Sequence, residues 1–253
     1  MTNCLRTILD DAKTKLEGQL WPLNKALLTY FGIYLLLALP TLIIEMTASQ
    51  EVVFFSSIFF ELFLIPLLVY PVMVGIVCLG IALSRGEEIQ VGSILGHYDK
   101  MWSLYGFQVL YFMAVFVCAF ACTLLALAFV GSGFNAAVTI IIIFTVLLLG
   151  CLGVYICFAA PLIVDKDFSI IESIRCSIHA IHTSGKFFLL VRFIIMLSVW
   201  MVLGVFTLGI IYFWIFPRYI IAFGIIYRDL FDSETEAPKL KKSDLDGPLA
   251  KYS

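Results

Sequence analysis

The sequence predicts an all-α fold, a polytopic membrane bundle of six transmembrane helices with amphipathic interfacial helices on the cytoplasmic side. Hydrophobic residues make up 62% of the 253 residues and charged residues only 13%, whereas a soluble domain has about a quarter charged residues. The mean hydropathy is +1.05. The apolar residues also form six long runs separated by short polar connections. A chain with so few charges cannot cover a water-exposed surface of this size.

Each of the six apolar runs is long enough to cross a bilayer, which takes about 20 residues. The runs cover residues 25–45, 52–83, 104–130, 136–164, 187–205 and 208–230. They are too long and too uniformly apolar for barrel strands, so we expect helices, which satisfy their own backbone hydrogen bonds. Run 52–83 would be about 48 Å long as one helix. Because Pro66 and Pro71 interrupt it, we expect it to be kinked and tilted, with residues 52–60 partly in the outer interface.

The basic residues indicate how the chain is oriented. They fall before the first run, in the second and fourth connections and in the tail, and are absent from the connections at 46–51, at 131–135 and between the last two runs. Loops rich in Lys and Arg stay in the cytoplasm. We therefore expect both termini in the cytoplasm and only short loops outside. The net charge of −2 gives no sign of a nucleic-acid partner.

Polar segments flank the predicted membrane domain of residues 25–231. Residues 1–24 form a cytoplasmic amphipathic segment with an apolar stripe, and residues 232–253 form a polar tail that we expect to be disordered. The linkers 87–102 and 169–183 also have helical apolar stripes, and Ser169 and Glu172 have the spacing of a capping box. The three stripes are Leu5, Ile8, Leu9, Ala12 and Leu16; Val91, Ile94, Leu95, Tyr98, Met101 and Trp102; and Ile171, Ile174, Ile178 and Ile181. An offset of about 80 residues aligns the two linkers with their spans, which indicates either a degenerate direct repeat or convergent amphipathicity.

Three ionisable residues stand inside apolar runs, and one of them, Arg192, lies about five residues into the fifth run, close enough to the inner face to snorkel. Arg218 precedes Arg228 by ten residues, which predicts a position about 15 Å deep in the bilayer. Glu61 is the carboxylate well inside the second run. Because buried charges in membranes need partners, one hypothesis is that Glu61 and Arg218 form a buried polar pair. The alternative is that Glu61 reaches the outer headgroups and that backbone carbonyls and water satisfy Arg218.

The second linker has a polar face formed by Glu172, Arg175, His179 and His182. Cys176, His179 and His182 follow one another at three-residue intervals and could contact one metal ion, but structural zinc sites use tighter paired spacings. We therefore interpret the face as solvated and predict no metal or cofactor. Signatures of hydrolases, Walker nucleotide sites, HExxH metalloproteases and dinucleotide binding are absent.

Several short motifs point to a known family. They are Ser173-Ile-Arg175-Cys-Ser177, Lys186-Phe-Phe-Leu-Leu190, the Gly204 and Gly209 hairpin, Pro217 with Ala222 and Tyr227-Arg228-Asp229-Leu230, and Arg85-Gly86-Glu87-Glu88 in the first linker. With these motifs the chain resembles the poorly characterised YciC-type family of bacterial six-helix inner-membrane proteins, which is related to the membrane domain fused to some glycerophosphodiester phosphodiesterases. The resemblance implies a six-helix fold in a bacterial inner membrane and no catalytic residue.

These features favour a membrane protein without enzymatic activity that serves as a scaffold, a partner subunit or an envelope-homeostasis component. Its expected partners are membrane lipids and other membrane proteins or further copies of itself. The alternative is a transporter or lipid-handling protein that uses a buried polar site around Arg218, supported by the broken helices and the possible repeat.

Overall fold

The computed structural model describes residues 2–47, 49–130, 135–207, 209 and 211–232, and in this part of the chain every regular element is a helix. The predicted tail lies almost entirely outside the described residues. The helices are α1 (Thr2–Leu16), α2 (Leu20–Thr47), α3 (Gln50–Ser57), α4 (Ile65–Arg85), α5 (Met101–Val130), α6 (Asn135–Ile156), α7 (Ala159–Asp165), α8 (Ile170–Ser184), α9 (Phe187–Phe206) and α10 (Tyr212–Phe231). A π-helical segment, Ile58–Leu64, precedes α4, and a 3-10 segment, Val91–Lys100, precedes α5. The all-α prediction is confirmed for the described chain.

Five helical stretches are long and apolar enough to cross a membrane, which fits an integral membrane protein with several spans. They are Leu20–Thr47, Ile65–Arg85, Val91–Leu127, Val138–Asp165 and Phe187–Phe206. The sixth apolar run forms α10, which does not belong to this set and carries Arg218, Arg228 and Asp229. The run expected to form one kinked helix is divided into α3, the π-helical segment and α4. Pro66 lies in the first turn of α4, directly after the π-helical segment, and Pro71 lies inside α4.

The core forms around α4 and α10, which cross in close contact. At the crossing, a Cβ atom on Gly80 would lie 2.6 Å from the carbonyl oxygen of Ile220. On another side of α10, helix α1 buries the face that carries Leu5, Ile8, Leu9 and Ala12. This is the stripe read from the sequence, and it packs into the same core as α10.

Helices α5 and α6 join the core only near one end. Among the described side chains of the two helices, the buried ones are Leu104 and Phe107 near the start of α5 and Val154 and Ile156 near the end of α6. Beyond these residues, the described large apolar side chains of both helices are mostly exposed, as with Val117 at 59%. The two helices therefore form a hairpin that extends beyond the core, which we call the α5–α6 hairpin.

The linkers differ from their predicted stripes. In the first linker Ile94 is buried, but Leu95 and Trp102 are exposed. In α8 the capping box of Ser169 and Glu172 is present, yet Ile171 is 60% exposed while Ser173 and Ser177 are fully buried. Ser177 can be buried because its hydroxyl donates to the carbonyl of Tyr155 at 2.7 Å, which offsets the cost of removing it from water.

Candidate functional site

The ends of α4, α7 and α10 meet in a group of polar side chains, Arg85, Asp165, Lys166, Tyr227 and Asp232, which we call the charge cluster. Each residue lies at or within five residues of the end of an apolar helix. The cluster therefore assembles where three helices leave the core.

Arg85 forms the centre of the cluster. Its Nη1 and Nη2 donate to the two carboxylate oxygens of Asp165 at 2.7 and 2.8 Å, and its Nε donates to Oδ2 of Asp232 at 2.6 Å. The two parallel bonds between Arg85 and Asp165 make this pair bidentate, which is the strongest form of a charge-assisted pair. The hydroxyl of the buried Tyr227 adds a bond of 2.8 Å to Asp165.

Lys166 completes the charge balance. Its Nζ lies 2.8 Å from Oδ1 of Asp232 and 3.8 Å from Oδ2 of Asp165. Burial raises the pKa of Asp232, but hydrogen bonds from Arg85 and Lys166 outweigh it, and the pKa falls below its ordinary value of 3.8. Two cations thus meet two carboxylates. Every charged group in the cluster has an oppositely charged partner, so the cluster can act as a clamp that holds the three helix ends together.

A second set of hydrogen bonds joins α1 to this end of the bundle. The carbonyl oxygen of Ser84 accepts from Nη1 of Arg228 at 2.6 Å and from Nζ of Lys15 at 3.1 Å. The hydroxyl of Ser84 donates to the carbonyl oxygen of Gly224 at 3.1 Å. Four helix ends, those of α1, α4, α7 and α10, are therefore held together on one side.

Arg218 pairs with the N-terminal helix. Its Nε donates to the carbonyl oxygen of Leu9 at 2.9 Å, and its Nη2 lies 3.2 Å from Oδ1 of Asp10. Asp10 is 64% exposed, so this pair is not enclosed in the bundle interior. The backbone of Glu61 lies in the π-helical segment, but its side chain lies outside the described side chains. The proposed Glu61–Arg218 pair stays a prediction, and the partner found for Arg218 is Asp10.

The polar face of α8 is largely solvated. The side chain of Glu172 is used in the capping box, accepting from the N–H of Ser169 at 3.1 Å, and Arg175, His179 and His182 are exposed. Across the described part of the chain, no group of three or more His, Cys, Asp or Glu residues is placed to hold a metal ion.

A mainly apolar cavity of about 280 Å³ lies between α4, α7, α9 and α10. It shares Tyr70, Cys157 and Ala160 with a neighbouring cavity of about 280 Å³ that borders α5. Gln108 lines the neighbouring cavity, and its Oε1 is buried without a hydrogen-bond partner among the described groups. Neither cavity contains a charged residue in its lining.

In the sequence, the residues of the charge cluster served as markers of orientation, as linker and tail residues or, for Arg85 and Tyr227, as parts of the motifs that carry the family resemblance. The sequence did contain one signal for the cluster. Arg85 and Asp165 each follow the end of an apolar run, and they are separated by the same offset of about 80 residues that aligns the two linkers. Comparison of the chain with protein-family models, with curated proteins and with solved structures finds no match in any of the three. The site is therefore interpreted from its own geometry.

Proposed function

We propose that the protein is a six-span inner-membrane protein without enzymatic activity that acts as a scaffold or partner subunit. The observation that carries this proposal is the α5–α6 hairpin, in which the buried residues, as far as its side chains are described, lie near the end that joins the core. Two long apolar helices that extend beyond their own bundle offer a large surface within the bilayer. Such a surface can pack against another membrane helix by van der Waals contact. The resemblance to the YciC-type family supports the same interpretation.

The hairpin geometry of α9 and α10 supports a sixth crossing. Lys186 before α9 and Asp229 near the end of α10 line one cavity, so the two helices begin and end at the same side of the bundle. If α9 crosses the bilayer, α10 must return. Arg228 lies near the end of α10 and bonds to the carbonyl oxygen of Ser84, and Arg218 bonds to the backbone of Leu9, so both guanidinium groups have partners within the chain.

The charge cluster supports the cytoplasmic placement of the basic loops. It gathers Arg85, Lys166 and the end of α10 on one side, and the ion pair between Lys100 and Asp167 adds the start of α5. A single cysteine introduced by Ser132→Cys into a cysteine-free chain should be labelled from outside the cell. Labelling at residue 132 only from the cytoplasm would reverse the proposed orientation.

Photocrosslinking within native membranes tests the scaffold proposal. A photoreactive residue at Val117, on the hairpin, should give discrete protein adducts, either with a second copy or with another membrane protein. Val199 on α9 is a matched control because it is also apolar and 54% exposed. Adducts at Val117 that contain only lipid, as expected for Val199, would contradict the proposal. The transporter alternative places its polar site around Arg218, which bonds to Leu9 and Asp10, and it keeps its other support, the broken helices and the possible repeat.

A further inference from the structure

A cavity of about 290 Å³ lies between α1, the start of α9 and the end of α10, apart from the charge cluster. Its walls are mainly apolar, with Phe188, Leu189 and Ile226 among them, and Lys186 and Arg192 supply two positive charges. Asp229 also lines the cavity, and its Oδ1 lies 3.5 Å from Nη2 of Arg228. The lining therefore carries a net positive charge beside an apolar surface.

Arg192 interrupts an apolar face of α9 that is open to the surroundings. Phe188, Ile195, Val199 and Val202 are 73%, 58%, 54% and 58% exposed, and their spacing places them on one face of the helix with Arg192. In a helix that crosses a bilayer, this face meets lipid chains. A guanidinium there is costly unless it reaches the water or the phosphates at headgroup depth.

Within the described part of the chain, no carboxylate forms an ion pair with the guanidinium of Arg192. The ion pairs formed by the described residues include neither Lys186 nor Arg192. Lys186 directly precedes α9, and Arg192 lies about 9 Å further along the helix axis. If Lys186 lies among the headgroups of one leaflet, this rise places Arg192 near the start of the acyl chains.

We propose that this cavity binds an acidic phospholipid of the cytoplasmic leaflet. Its phosphodiester would lie between Lys186 and Arg192, where the guanidinium can donate two parallel hydrogen bonds to the phosphate oxygens. The upper part of one acyl chain would fill the apolar cavity, and the remainder would lie along the exposed face of α9. A net anionic headgroup matches the excess of positive charge, and basic pockets between membrane helices recognise such headgroups.

Equilibrium binding of a fluorescent phosphatidylglycerol to the detergent-solubilised full chain tests this site, with phosphatidylcholine as the neutral comparison. We expect the wild type to prefer phosphatidylglycerol. Lys186→Gln and Arg192→Gln should each weaken its binding about fivefold and together about 30-fold, with phosphatidylcholine binding unchanged. Arg175→Gln is the matched control, because Arg175 is an exposed arginine that does not line the cavity.

Three outcomes would overturn the proposal: equal binding of the two lipids by the wild type, unchanged phosphatidylglycerol binding by a folded double variant, or an equal loss in Arg175→Gln. If the double variant fails to fold, the single variants and Arg192→Lys decide. Arg192→Lys keeps the charge but loses the bidentate geometry, so it should bind phosphatidylglycerol more tightly than Arg192→Gln does. Equal affinity of the two Arg192 variants would also overturn the proposal.

Discussion

Gly80 of α4 and Gly224 of α10 face each other where the two helices cross, and neither position has room for a Cβ atom. A Cβ on Gly224 would collide with the carbonyl group of Gly80, and one on Gly80 would meet the backbone of Ile220. Backbone atoms cannot move aside as a flexible side chain can. The hydroxyl of Ser84 donates to the carbonyl oxygen of Gly224, one turn further along α4 from Gly80. Small residues thus allow the two core helices to approach closely, as is common in membrane bundles.

Gly224→Ala should therefore push the two core helices apart. We expect a loss of about 1–3 kcal/mol in the free energy of unfolding, which is typical of overpacking, measured by denaturant unfolding in detergent micelles. Gly150→Ala on α6 is the control, because a Cβ there would meet nothing within 4 Å. A loss of similar size in both variants would show that the crossing is not the cause.

Removing one charge from the centre of the cluster should be costly. Asp165→Asn leaves the half-buried Arg85 with one carboxylate partner instead of two, and we expect a loss of about 2 kcal/mol in stability. The pair of Lys100 with Asp167 is a matched comparison, since the Asp167 side chain is 73% exposed. Asp167→Asn should cost less than about 1 kcal/mol. Thermal unfolding of both variants and of the wild type measures these losses in stability. Equal losses in Asp165→Asn and Asp167→Asn would contradict the proposed role of the charge cluster in holding the helix ends together.

Acidification should weaken the bundle through Asp232. Because the pKa of this carboxylate is lower in the folded chain than its ordinary 3.8, its contribution is present above that value and is lost as the pH falls through the folded pKa. Asp232→Asn should destabilise the chain at pH 7. The gap, that is, the difference in stability between this variant and the wild type, should become smaller below about pH 4. Thermal unfolding across this range measures the gap. A gap that stays constant with pH would contradict the assignment.

Arg218 should hold α1 mainly through the backbone of Leu9. Asp10→Asn removes an exposed ion pair and should cost less than about 1 kcal/mol, whereas Arg218→Gln also removes the guanidinium that bonds to Leu9. We expect faster hydrogen exchange of the α1 amides in Arg218→Gln than in Asp10→Asn.

The pair of Glu61 and Arg218 that the sequence predicts has its own test. If the double variant Glu61→Arg with Arg218→Glu restores the abundance that is lost in the single variants, this pairing is correct.

The two linkers pack on the helices before them in corresponding ways. A Cβ on Gly75 would lie 3.2 Å from the ring of His97, and the carbonyl of Tyr155 accepts from Ser177. Tyr155 follows Gly75, and Ser177 follows His97, at the offset of about 80 residues that aligns the two linkers in the sequence. Contacts at this offset are what a direct repeat predicts, but the two linkers differ in structure, because the first contains a 3-10 segment and the second forms the α-helix α8.

The sequence by itself determined the helical class, the membrane character and the approximate limits of the long apolar helices, because length and hydropathy are properties of each segment alone. It also identified the apolar stripe of α1 and the capping box of α8, whose residues are neighbours within one helix. Only the tertiary structure decided the partner of Arg218, the buried face of α8 and the assembly of the charge cluster. These depend on contacts such as that between Arg85 and Asp165, and local periodicity cannot report where distant helix ends meet in space.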